Sequence, residues 1–137
     1  MTKEEKELLF IDLCARLLYG VCYKHLTWDD ERGEECIAAQ IYSINSDGYV
    51  KNCYDDETVY IDNVRPYLFP LSSMTEEQIK ELEEIDPESH SLICENGDVC
   101  ISMGLRGYDW LNKNHFDYRG LIEKGLAIDA MGLDIDK

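Results

Sequence analysis

Between residues 21 and 62 the chain carries four short β-prone segments in succession, and this run limits the fold more than any other feature. The segments are VCYKHLTW (21–28), ECIAAQIYSI (35–44), YVKNCY (49–54) and TVYID (58–62), all rich in β-branched and aromatic residues. Asp47-Gly48 and the acidic run DDE at 55–57 supply tight turns. Strands joined by loops this short pair as an antiparallel meander, with one face packed inward and the other largely in water.

A helix comes first. Thr2-Lys3-Glu4-Glu5 has the form of a capping box, and a helix is predicted over about 3–18, ended by Gly20. At 100° per residue its apolar side chains cover an arc of about 220°. Glu5, Asp12 and Arg16 make the only clear polar stripe, with Asp12 and Arg16 spaced as an i,i+4 pair. So wide an apolar arc implies cover from more than one side, as a central core helix or as a subunit interface that leaves room for a homodimer.

After the meander, Pro66 and Pro70 hold an extended segment around Tyr67, Leu68 and Phe69. Thr75 and Gln78 form a second capping box, with Met74 placed to staple onto Ile79, and a surface helix follows over 76–85. Along it only Ile79, Leu82 and Ile85 are apolar, a narrow stripe. Asn96-Gly97 predicts a hairpin over roughly 91–95 and 99–103. The C-terminal block reads as a two-helix corner. Its first helix spans 108–114, with Trp110 and Leu111 inward and Asn114 in the left-handed conformation. Asp117 caps a second, Phe116 and Leu121 staple it, and LAID leaves as an edge strand.

Charge narrows the partners. There are 29 acids against 13 bases, a net charge of −16. Direct binding to nucleic acid or to an anionic membrane is therefore disfavoured. The acids group at 29–35, 55–57 and 76–88, as solvated loops and a helix face, or as a surface that mimics DNA phosphates and occupies a nucleic-acid-binding protein. No apolar run reaches the ~20 residues of a membrane span, and the acidic start does not resemble a signal peptide, so the expected location is the cytoplasm.

Catalytic and metal motifs are weak. The six cysteines form no C-x-x-C pair and are expected to be free and to act as small buried hydrophobes. Cys94 and Cys100 can face one another only with a three-residue hairpin loop, and a reducing compartment disfavours their disulfide. Cys22 and His25 have C-x-x-H spacing, yet on a strand they point to opposite faces, which suits no shared zinc. An EF-hand laid over 43–54 would need acids where Ser43 and Tyr54 stand. His90 sits in a polar loop. His115 with Asp117 and Arg119 could act as an oriented base and an anion site, but no nucleophile accompanies them, and caps and staples explain more of the stretch.

Three blocks have a recognisable wording: TKEEKELLFIDLCARLLYGV (2–21), NVRPYLFPLSSMTEEQIKEL (63–82) and NKNHFDYRGLIEKGLAIDA (112–130). They resemble a group of small uncharacterised proteins encoded in gut-anaerobe genomes, often in phage-like or mobile regions. The group has no assigned activity, catalytic residue or cofactor, so the resemblance implies context: a cytosolic accessory protein that acts by binding a host protein.

The expectation is thus one α+β domain over residues 1–137. An N-terminal core helix packs on a four- to six-stranded antiparallel meander, with a surface helix and a C-terminal two-helix corner. The expected function is non-enzymatic protein–protein interaction, with no catalytic residue, cofactor or metal. The expected contact surface comprises Tyr67, Phe69, Glu76, Glu77, Glu81 and Glu84. The alternatives are an acidic DNA mimic and a small hydrolase or metal enzyme around His115 or Cys22/His25.

Overall fold

The computed structural model describes residues 1–29, 31, 33–86 and 105–132. The predicted hairpin at 91–103, His90 and the Cys94/Cys100 pair lie outside the described residues.

Helix α1 (Lys3–Arg16) begins with the expected box. Thr2 Oγ1 accepts from the Glu5 amide at 3.1 Å, and the Glu5 carboxylate accepts from the Thr2 amide at 3.0 Å. A 3-10 turn at Leu17–Tyr19 follows, and Gly20 ends it at φ +73°, where a side chain would be strained. Strands β1 (Cys22–Asp29), β2 (Gly33–Ile44), β3 (Tyr49–Asn52) and β4 (Thr58–Tyr60) then form an antiparallel sheet in chain order. In the β2–β3 turn Asn45 Oδ1 accepts the amides of Asp47 and Tyr49, each at 3.0 Å. Gly48 sits there at φ +88°, and a Cβ on it would meet Ile61 Cγ2 at 3.2 Å.

A second sheet was not expected. Strand β5 (Tyr67–Pro70) lies between β6 (Phe116–Asp117) and β7 (Ile128–Asp129), parallel to both. Two-residue strands are too short to show alternation, so only packing reveals them. The amide of Phe69 donates to His115 C=O and that of Ala130 to Leu68 C=O, each at 2.8 Å. Helix α2 (Glu76–Ile85) has its capping box, buries Leu82 and half-buries Ile79 and Ile85, the narrow stripe its sequence requires.

The C-terminal corner departs from expectation. Helix α3 (Leu105–Lys113) buries Trp110 and Leu111 as expected, but His115, not Asn114, takes the left-handed conformation, at φ +59°. Asn114 remains tied to the Trp110 carbonyl through its amide and side chain. No second helix follows among the described residues; residues 121–125 form turns. Asp117 still caps them, its two oxygens accepting from the Leu121 and Ile122 amides at 2.9 Å. Phe116 and Leu121 do not staple, because Phe116 stacks on Trp110 (5.6 Å, 11°) in a different cluster from Leu121.

One cluster joins α1 through Leu9 and Leu13 to Tyr23, Ile41, Val50 and Leu68. The other joins Leu71, Met74 and Leu82 to Trp110, Leu111 and Phe116. The polar stripe expected on α1 is inverted: Asp12 and Arg16 are fully buried, whereas Ile11 is 55% exposed and Leu18 92%. The cysteines also depart from the hydrophobe reading: Cys14, Cys36 and Cys53 are exposed, Cys22 is half-buried, and all four are free thiols.

Candidate functional site

Strand alternation turns Tyr23 and His25 of β1 to the same inward side, Tyr23 fully buried and His25 4% exposed. The β3–β4 turn brings two acids to the same place. His25 Nε2 lies 2.9 Å from Asp55 Oδ2 and 3.6 Å from Glu57 Oε2. Behind the ring, Tyr23 Oη sits 3.2 Å from His25 Nδ1, and the fully buried Asn52 donates from Nδ2 to Tyr23 Oη at 3.0 Å. That arrangement leaves the Tyr23 hydroxyl to donate to Nδ1 and assigns the ring proton to Nε2, facing Asp55.

Asn52 organises the turn as well. Its Oδ1 accepts the amides of Tyr54 and Asp55, and its Nδ2 donates to Asp55 Oδ1 at 3.0 Å. The Glu57 amide also donates to Asp55 Oδ1, so Oδ1 is held by the backbone turn while Oδ2 is directed at the imidazole. The hydrogen bond from His25, followed by the Glu57 amide, holds the Asp55 carboxyl below its ordinary pKa. Burial pushes the Tyr23 phenol up. Among the described residues, His25, Asp55 and Glu57 are a group whose donor atoms all lie within 4.8 Å of one another.

Cys22 does not join this group: it alternates to the other side of β1, near the Gly20 carbonyl, and burial raises its thiol pKa. Cys22 and His25 are thus separated as expected, whereas the acidic neighbours of His25 are not visible in the local pattern. Thirty residues separate His25 from Asp55, and only the meander closes that distance.

The His115 region is a structural joint. Arg16 donates from Nε and Nη2 to the two oxygens of Asp12, at 2.9 and 3.2 Å, and from Nη2 to Phe116 C=O at 2.6 Å. Arg119 Nε lies 3.3 Å from Asp12 Oδ1, and the Arg119 guanidinium sits over the Tyr118 ring. Arg119 thus faces an acid of the chain itself. His115 is half-buried with Nε2 at 3.0 Å from Tyr19 C=O, while the Asp117 oxygens are engaged as caps. Asp117 therefore does not orient His115. The three blocks with recognisable wording meet here, through Arg16, β5 and β6.

Of the expected contact residues, Glu76, Glu77, Glu81 and Glu84 are exposed on α2, Glu81 accepting from Trp110 Nε1 at 3.0 Å. Tyr67 and Phe69 are half-buried on the central strand of the parallel sheet, and Phe69 packs near Phe116. The acids at 55–57 turn toward the protein: Asp55 and Glu57 face His25, and Asp56 accepts from Tyr42.

Exposed apolar side chains include Leu26, Tyr54 and Met131, and a further group lies on and just after α1. Ile11 and Cys14 share its outer side, and Leu18 stands one turn further on. Beside Ile11 a groove of about 480 Å³ runs between α1 and the β2–β3 turn, lined by Lys6, Phe10, Gly48, Tyr60 and Ile61. Among the described residues no helix is long and apolar enough to cross a membrane.

No family model matches the chain, and neither a curated protein nor a solved structure matches it.

Proposed function

We propose that the chain is a non-enzymatic binding protein that docks a protein partner on the outer face of α1. The observation that carries this reading is Ile11, 55% exposed on α1, whose inner side is already filled, together with Leu18, 92% exposed in the 3-10 turn that follows the helix. Exposed apolar surface continuous with a groove is the usual form of a protein contact. The occupant is a different protein with a basic rim, because a second copy would bring another −16 of like charge. The resemblance of the three blocks supports an accessory role of phage or mobile-element type.

The test compares the full chain with the variant I11E/L18E in capture from source-cell extract, beside light-scattering measurement of mass. A basic protein enriched by the wild type, lost in the variant and weakened by salt supports the proposal. Equal capture by both chains, or a wild-type dimer that the variant dissolves, overturns it.

A further inference from the structure

We propose that His25, Asp55 and Glu57 form a binding site for a first-row divalent transition metal, zinc foremost. This inference stands apart from the α1 docking face and shares no residue with it.

Two carboxylate oxygens approach one imidazole nitrogen, at 2.9 and 3.6 Å. A neutral ring offers a single N–H there, which serves Asp55 and leaves Glu57 without an equally short bond. A divalent cation in that position would be shared by both acids and the ring. Moving the ring proton from Nε2 to Nδ1 frees the Nε2 lone pair, and Nδ1–H then donates to Tyr23 Oη. No net proton is released by that change.

The ligands are also supported from behind. Metal-binding histidines characteristically have their second nitrogen fixed by a neighbouring group, and ligating carboxylates are themselves hydrogen-bonded. Here the buried Tyr23 and Asn52 stand behind His25, and Asn52 and the Glu57 amide hold Asp55 Oδ1. The interior side of the site is therefore built, while Glu57, with its side chain 60% exposed, forms a rim through which an ion can enter.

Donor chemistry selects the ion. One imidazole nitrogen with two carboxylates suits zinc and its first-row neighbours, whereas calcium and magnesium favour all-oxygen sets. Three protein ligands leave a further position for water.

The test uses the full chain stripped of metal by chelation, then titrated with Zn²⁺ in calorimetry and in long-range ¹H–¹⁵N spectra of the imidazoles. His25 is expected to show the Nε2 shift of a ligated ring at one ion per chain, with His90 and His115 unmoved. The variant E57Q, altered at an exposed position, is expected to weaken binding by about tenfold or more, with D55N weakening it further. Mg²⁺ in excess is expected not to displace the zinc. Circular dichroism establishes that both variants remain folded; if D55N unfolds, E57Q decides. Several weak equivalents that leave the His25 signals unmoved, or a single site indifferent to E57Q, would overturn the proposal.

Discussion

Replacing Asp12 by alanine tests whether the buried charge cluster holds the molecule together. The substitution removes the acid that faces Arg16 at 2.9 and 3.2 Å and Arg119 at 3.3 Å. Arg16 stays fully buried, with only the carbonyls of Phe116 at 2.6 Å and Leu111 at 3.4 Å as acceptors. Breaking a buried pair from one side costs about 3–5 kcal/mol, because an uncompensated charge remains in the interior. Arg119 is partly exposed, so it can turn to water and adds little. With an unfolding entropy of about 0.3 kcal/mol/K for a chain of this length, the midpoint should fall by about 10–17 °C.

Urea and thermal unfolding followed by tryptophan fluorescence measure this, since Trp110 stacks on Phe116 beside the cluster. The double variant D12L/R16M removes both charges of the pair, leaves the partly exposed Arg119 to turn to water, and orphans the carbonyls of Phe116 and Leu111. It should lie within about 2 kcal/mol of the wild type. A cost below about 1 kcal/mol for D12A, or a double variant as unstable as the single one, would refute the reasoning.

In the 3-10 turn after the same helix, L18S should leave stability within about 0.5 kcal/mol of wild type, whereas L9A, at a fully buried position of the helix, should cost about 2–5 kcal/mol in urea titrations. Asp55, with its folded pKa depressed, contributes stability that is present above its unfolded pKa and lost as pH falls through the lower folded value. Carboxyl ¹³C titration should place its midpoint below the ordinary aspartate value of about 3.9, and H25Q should move that midpoint upward. Among the described thiols, Cys36 and Cys53 should react with a disulfide reagent at mildly alkaline pH before Cys22, whose burial raises its pKa. Mass spectrometry of the first labelled peptides gives the order.

Local features were legible because their causes are local. Thr2 with Glu5 and Thr75 with Gln78 are capping boxes within four residues of chain, and both form as read. The alternation at 21–62 yields the meander in chain order. The expected corner at 114–125 failed where neighbours distant in sequence compete. Phe116 is drawn to β5 and Trp110, the chain reverses at His115, and Asp117 caps turns in place of a helix.

For the candidate metal group, the sequence by itself determined that Cys22 and His25 point to opposite faces, while the contact of Tyr23 with His25 emerged only in the fold. The acids at 55–57 read as a solvated turn and are exposed, but the pairing of Asp55 with His25 was not legible, because that partner lies thirty residues earlier in the chain. The polar stripe of α1 shows the same division. The i,i+4 spacing of Asp12 and Arg16 was visible in the sequence, but polarity alone points such a pair toward water. Tertiary structure turned it inward, because Arg119 and the Phe116 carbonyl arrive from about a hundred residues later to satisfy it. A buried charge is tolerable only when its partners are present, and those partners are assembled by the fold.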